Sequence, residues 1–154
     1  MAAMCIGLCS SQTVTVSGPL VDLYCWDTRN GVAWDTGVQL RDNPYAHTVH
    51  CLVEVSICKN SGFAIVYQPA NATQYEVQYY LDGVGNAAAI EEMLDVPQAD
   101  RNAQTGFVFT ITGTPNDETP PTLITSSDST PAPTTTPSDS GCHQIVVAMG
   151  LFIA

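Results

Sequence analysis

Cysteine and histidine side chains, which can bind metals or act as nucleophile and base, cluster in one part of this sequence. Cys25, His47, His50, Cys51 and Cys58 are its only cysteines and histidines between Gln12 and Gly141. Disulfides within the domain cannot use an odd number of thiols, so at least one sulfur is free, bound to something or paired outside it. The cluster therefore indicates a candidate metal or cofactor site.

The metal interpretation takes all five residues as candidate ligands. Copper and zinc accept imidazole and thiolate together. On a helix His47, His50 and Cys51 stand at i, i+3 and i+4 and face one way, and Cys25 or Cys58 supplies a fourth ligand. Haem is a weaker candidate than copper or zinc because the sequence contains no C-x-x-C-H motif.

The segment that carries most of the cluster is predicted to be a helix from position 44 to position 60. Pro44 suits a first turn after Asn43, and Ser61-Gly62 supplies a left-handed stop. A strand is the alternative, because β-branched residues are frequent in this segment. On one continuous helix about 10 Å separates the backbones of Cys51 and Cys58, beyond the roughly 7 Å limit for a disulfide, so only a broken helix lets them bond.

Two other interpretations of the cluster remain open. In a structural one, Cys25 forms a disulfide with Cys51 or Cys58, and the non-catalytic domain is a displayed surface, adhesion or interaction module. In an enzymatic one, Cys51 is a nucleophile with His47 as its base, and Asp22, Asp27 or Glu54 orients the imidazole. The sequence has no nucleophile elbow, phosphate loop, dinucleotide fingerprint or zincin motif, so we expect a non-catalytic domain.

Short strands around few helices are predicted for the folded part, residues 13–118. Alternation and turn residues predict a first strand over 13–25, bent at Gly18-Pro19, and a helix from Asn86 to Leu94. Further strands are predicted at 63–67, 76–81, 106–113 and 123–125, and a loop at 26–41. The expected fold class is α+β, mostly β: a small barrel or sandwich with a Cys/His-bearing helical insertion.

Composition limits the partners of this domain. The chain has 154 residues, of which 12% are charged, and a net charge of −11. Nucleic-acid phosphates require clustered cations, so no nucleic-acid partner is expected. Trp26 and Trp34, with Tyr24 and Tyr45 nearby, are candidate stacking residues for a glycan or another flat ligand, and core packing is their alternative role.

Both ends of the chain favour export. Residues 1–12 are apolar and resemble the end of a truncated signal peptide, and Asn71-Ala72-Thr73 is a glycosylation acceptor. Residues 119–140 are rich in Ser, Thr and Pro and predict a disordered, glycosylated stalk. The apolar tail at 141–154 is too short to span a bilayer and resembles a glycolipid-anchor signal, with a truncated membrane span or an unanchored tail as alternatives. We expect a secreted or surface protein, in contact with a membrane only through that tail.

Several of these segments together resemble small exported domains known from bacteria and algae. Those domains carry V-x-G-x-[LV]-V-D-x-x-C-[YW], a later H-x-x-C or H-x-x-x-C, and a closing V-x-V-x-G strand. The matching segments here are 16–26, His47 to Cys51, Cys58, 61–63 and 108–113. The resemblance implies an oligonucleotide-binding-like barrel with a helical insertion, exported from the cytoplasm. The cysteine spacing of this chain, C-x6-C, differs from the C-x3-C of the bacterial form.

Overall fold

A closed barrel of five strands forms the body of the protein in a computed structural model that describes residues 12–126. The strands are β1 (Val14–Asp22), β2 (Phe63–Tyr67), β3 (Glu76–Leu81), β4 (Val108–Pro115) and β5 (Thr122–Ile124). They follow the order β1-β2-β3-β5-β4, and β4 closes on β1. All pairs are antiparallel except β3 with β5. The predicted fold class, a small, mostly β barrel with few helices, is confirmed.

The first strand, β1, pairs with two different strands along its length. Val14 to Pro19 pair with β4, and Leu20 to Asp22 pair with β2. The change of partner falls at the predicted bend, where Pro19 lacks a backbone donor. A Cβ on Gly18 would come within 2.9 Å of the Val66 carbonyl oxygen, so only glycine allows β1 and β2 to approach this closely.

One long helix and several short ones complete the fold. The α-helices are α1 (Val49–Val53), α2 (Ser56–Asn60) and α3 (Gly83–Leu94). A π-helical turn covers Tyr24–Thr28, and a 3-10 turn covers Pro44–Ala46. Asp82 caps α3 by accepting a hydrogen bond from the Gly85 N–H at 2.8 Å, so this helix begins three residues before the predicted Asn86.

The last strand, β5, lies within the segment 119–140, whose composition predicts a stalk. Residues 119–126 lie in the described structure, and Leu123 of β5 is fully buried against the barrel interior. The barrel is closed through these residues, because β5 joins β3 to β4. The expected signal remnant, apart from Gln12, the stalk beyond position 126 and the apolar tail lie outside the described residues.

Two buried cores lie on opposite faces of the same strands. The barrel core fills the interior and contains Val16, Leu20, Val49, Leu52, Val53, Phe63, Ile65, Leu81, Ala89, Met93, Phe109, Ile111 and Leu123. The cysteine core contains Val21, Cys25, Trp26, Ala33, Leu40, Cys51, Cys58, Ala64 and Val66. Because strand side chains alternate, Leu20 and Ile65 face inward while Val21 and Ala64 face the cysteine core.

Candidate metal site

Three separate elements bring the three cysteines together on the outer face of β1 and β2. Cys25 lies in the π-helical turn that directly follows β1, Cys51 in α1 and Cys58 in α2. All three side chains are fully buried. The π-helical turn is anchored to the start of β2, because the Leu23 N–H donates to the Gly62 carbonyl and the Tyr24 N–H to Ser61 Oγ.

The continuous helix predicted for positions 44–60 is wrong. The 3-10 turn ends at His47, Thr48 caps a new helix by accepting from the Cys51 N–H, and the chain breaks again at Glu54 and Val55. The N–H groups of Val49 and His50 donate to carbonyls at positions 104 and 101, so a neighbouring segment fixes the start of α1. The predicted stop is confirmed, since Gly62 has a φ of 87° after α2.

The second break places the three sulfurs in a compact triangle. The Sγ atoms of Cys51 and Cys58 are 3.5 Å apart, and the Sγ of Cys25 lies 4.0 Å from Cys51 and 3.9 Å from Cys58. The three thiols are free, whereas a disulfide would require a sulfur separation near 2 Å. Zinc–sulfur bonds of about 2.3 Å in tetrahedral geometry place sulfurs about 3.8 Å apart. The triangle therefore has the size of three thiolates around one ion.

Asp22 completes a group of four buried ligands with these cysteines. One of its carboxylate oxygens and the three sulfurs all lie within 4.8 Å of one another. The backbone N–H of Cys25 donates to Oδ1 of Asp22 at 2.8 Å, while Oδ2 is buried without a hydrogen-bond partner in residues 12–126. From the sequence, Asp22 is expected only as a residue that orients a catalytic imidazole. The V-D-x-x-C motif, which ends β1 with an aspartate three residues before Cys25, was the available signal.

His47 lies beside this group and is 1% exposed. Its Nε2 is 3.1 Å from Asp22 Oδ2, yet the contact lacks hydrogen-bond geometry, and neither ring nitrogen has a hydrogen-bond partner among the described residues. Burial lowers the pKa of His47, but the Asp22 carboxylate and Cys25 together outweigh burial and raise that pKa to about 9. Without a metal, His47 and Asp22 thus form a buried ion pair.

Protons in the cluster are distributed unevenly. Contact with the Cys51 thiol lowers the pKa of Cys25 to about 6, while donation to Cys25 raises the pKa of Cys51 and burial raises the pKa of Cys58. Burial also raises the pKa of Asp22, but His47 and the Cys25 N–H outweigh it and keep that pKa below its ordinary value. Binding of an ion by all three sulfurs must therefore displace protons from Cys51 and Cys58.

His50, the other predicted histidine ligand, is not at this site. The break before α1 separates it from His47, so the predicted trio on one helix face does not form. His50 is one-third exposed, and its Nδ1 lies 2.7 Å from Glu54 Oε2. Arg101 donates to Glu54 Oε1 at 2.9 Å and to the carbonyls of Leu94 and Val96. His50 therefore belongs to a surface network that ties α1 to the end of α3.

The two candidate stacking residues differ in exposure. Trp26 is 2% exposed and belongs to the cysteine core, with the Arg41 guanidinium 4.5 Å from its ring centroid, so it offers no face to a ligand. Trp34 is 51% exposed, but Arg29 lies 4.7 Å from its ring centroid. Trp26 therefore packs in the core, which is the alternative to ligand stacking, and does not stack on a ligand.

Comparisons with protein-family models, with curated proteins and with solved structures found no match for this chain. Within residues 12–126, no helix is long and apolar enough to cross a membrane.

Proposed function

We propose that this domain binds a zinc ion through Cys25, Cys51, Cys58 and Asp22. The observation that carries the proposal is the triangle of free, buried sulfurs with edges of 3.5, 3.9 and 4.0 Å. Its mean edge equals the sulfur separation of about 3.8 Å in a tetrahedral zinc–thiolate site. Structural zinc sites use four protein ligands and are closed to solvent, as the three cysteines and Asp22 are here.

The ligand atoms favour zinc over the other ions considered. Three thiolates alone suit Cu(I) as well as zinc, but a carboxylate oxygen is a hard ligand that a soft Cu(I) ion does not select. Oδ2 of Asp22 supports a cation at this position, because this buried carboxylate oxygen accepts no hydrogen bond in residues 12–126 and has the His47 imidazole beside it, at 3.1 Å, only as an ion-pair partner. Haem is disfavoured, because sulfurs this close together leave room for a single ion.

Burial of the ligands supports a structural or storage role for the ion rather than catalysis. All three sulfurs belong to side chains with no exposed surface, so a substrate could not reach Cys51 as a nucleophile without opening the core. A groove of about 570 Å³ runs along the π-helical turn and α2, but none of the three cysteines lines it. The enzymatic interpretation therefore has the least support.

Zinc titration of the reduced full-length chain tests the proposal. We expect tight zinc binding, and thiolate-to-metal charge-transfer absorption when Co²⁺ replaces zinc. Cys58→Ser should abolish this tight binding, while His50→Ala should leave it unchanged, because His50 is bound to Glu54. Replacing Cys5, Cys9 and Cys142 by serine controls for thiols outside the described residues. Failure of the wild-type chain to bind zinc, whether or not it binds Cu(I), would overturn the proposal, and so would a Cys51–Cys58 disulfide in non-reduced peptide maps.

A second candidate function, a module displayed outside the cell, has support from the glycosylation acceptor. Asn71 is exposed and has a φ of 69° in the connection between β2 and β3. Free thiols are unusual in an oxidising compartment, and a bound ion would protect them there. Expression through a eukaryotic secretory pathway with and without Asn71→Gln tests this candidate. We expect enzymatic deglycosylation to shift the electrophoretic mobility of the wild type but not of Asn71→Gln. A shift that persists in Asn71→Gln, or no shift in the wild type, would contradict glycosylation at this residue.

A further inference from the structure

The geometry points to a second zinc site beside the first, formed by Asp35, His47 and Cys51, in which the Cys51 thiolate bridges two ions. One ligand atom from each of these three residues lies within 4.8 Å of the other two. The inference rests on the proposed zinc site, with which it shares the sulfur of Cys51. Zinc accepts this combination of carboxylate, imidazole and thiolate ligands.

The buried imidazole of His47, which makes an ion pair with Asp22 but no hydrogen bond in residues 12–126, is the independent observation that points to a ligand here. His47 is 1% exposed, and both ring nitrogens lack a hydrogen-bond partner in residues 12–126. Because Nε2 faces Asp22 Oδ2 at 3.1 Å, a neutral His47 that carries its proton there keeps a lone pair on Nδ1. Histidines that bind metals usually present the other ring N–H to a carboxylate, and the Asp22 carboxylate lies on that side of the His47 ring.

Thr48 connects the other two ligands. Its hydroxyl donates to Asp35 Oδ2 and accepts from the backbone N–H of Cys51 at 3.1 Å. Asp35 Oδ1 accepts from the Thr36 N–H at 2.8 Å, so two hydrogen bonds orient a carboxylate that would otherwise rotate freely. The loop carrying Asp35 is itself held down by the buried side chains of Ala33 and Leu40 in the cysteine core.

Charge balance favours the second ion. Asp22, Asp35 and three thiolates carry five negative charges when a metal is bound, and one Zn²⁺ together with the positive charge of His47 in its ion pair with Asp22 neutralises three of them. The two arginines of the covering loop, Arg29 and Arg41, lie over Trp34 and Trp26. A second Zn²⁺, which replaces the proton of His47, lowers the excess from two negative charges to one.

The two sites differ in their access to solvent. Asp22 and the three cysteines of the first are all buried, whereas Asp35 of the second is exposed. Zinc prefers four ligands, so a site with three protein ligands leaves one coordination position for a water molecule. The second ion should therefore bind more weakly and exchange faster than the first.

Zinc titration of the full-length chain with Cys5, Cys9 and Cys142 replaced by serine tests the second site. We expect two ions per chain in this background and one tightly bound ion in Asp35→Ala, whose fold is checked by circular dichroism because Asp35 accepts a hydrogen bond from Thr48. Asp42→Ala is the matched control, because it removes an equal charge from the same exposed loop but no ligand. His47→Ala should also keep one ion.

The outcomes separate the two proposals. One ion in the parent and one in Asp35→Ala would overturn the second site and leave the first standing, while no ion in either would overturn both. Loss of an ion in Asp42→Ala as well would show adventitious binding by an acidic loop and would overturn the second site. Two ions in the parent and in Asp42→Ala, with one in Asp35→Ala, would support it.

Discussion

The two cores of this protein share the same strands but differ in what holds them together. Adjacent residues of β1 divide between them, since Leu20 faces the barrel core and Val21 the cysteine core. The barrel core consists only of apolar side chains, whose burial contributes roughly 25 cal/mol per Å² of apolar surface. Packing alone is a sufficient reason for these residue types.

The cysteine core lies against polar groups for which packing gives no reason. Asp22 and His47 are buried with it, and three of their side-chain polar atoms lack a hydrogen-bond partner in the part of the chain that the structure describes. Two of these atoms, Asp22 Oδ2 and His47 Nε2, face each other at 3.1 Å, and a buried polar atom that nothing binds costs about 1–3 kcal/mol. Under the proposed function, the barrel core needs no ligand, whereas the cysteine core depends on a bound ion.

Zinc removal should produce the largest difference between the two cores. A ligand that binds only the native state at about a thousandfold its Kd stabilises that state by about 4 kcal/mol. We therefore expect a chelator to lower the free energy of unfolding of the reduced chain by at least this amount. Urea unfolding followed by circular dichroism, with and without chelator, measures the effect.

A substitution in the cysteine core provides the control for this experiment. Cys51→Ala removes a ligand and should make stability independent of zinc, while a substitution in the barrel core should lower stability equally with zinc and with chelator. If Cys51→Ala still gained the wild-type increment from zinc, the ion would be binding elsewhere.

A second prediction concerns the barrel core and its last strand. Leu123 is fully buried there, so Leu123→Ala should cost about 2–5 kcal/mol through lost contacts and the cavity left behind. The neighbouring Ile124 is 48% exposed, and Ile124→Ala should change stability by less than about 0.5 kcal/mol. Urea unfolding of both variants measures the difference, and both should keep the zinc stoichiometry of the wild type. Equal effects would mean that β5 does not belong to the barrel.

Much of the barrel was predictable because its signals are local. Apolar and aromatic residues over 63–67 and 76–81 identified β2 and β3 to the residue, and Gly18-Pro19 marked the change of partner in β1. The last strand was recognised at 123–125 although the surrounding composition suggested a stalk. A strand of three residues that pairs with β3 and β4 is enough to close the barrel. Composition averaged over a longer window does not detect so short a strand.

The site was less predictable because it depends on contacts between distant segments. The five candidate ligands were named from residue type, and three of them do form the sulfur triangle. The breaks at His47 and Glu54 follow from Thr48 capping and from backbone hydrogen bonds to positions 101 and 104, which local propensity does not reveal. Asp35 had no signal at all, since an aspartate in an acidic, exposed loop is ordinary.

The smallest predicted effect concerns Asp82, which joins the start of α3 to the end of β5 and lies far from the cysteines in sequence. Its carboxylate accepts from the Gly85 N–H, the Thr125 N–H and the Thr125 hydroxyl at 2.7–2.9 Å. Asp82→Ala should cost about 1–2 kcal/mol, as expected for a lost helix cap. Asp95→Ala, at the other end of α3, removes the same charge without these hydrogen bonds and is the control.

The pH dependence of this effect distinguishes the barrel core from the cysteine core, because it should not depend on zinc. Burial raises the pKa of Asp82, but the hydrogen bonds outweigh it and hold the pKa below 3.8. A carboxylate with a lowered pKa in the folded state contributes stability above its unfolded pKa and loses it as pH falls through the folded pKa. The stability difference between wild type and Asp82→Ala, measured by urea unfolding with chelator present, should therefore be constant near neutral pH and shrink below about pH 4. A difference that shrank only when zinc was present would instead link Asp82 to the cysteine core.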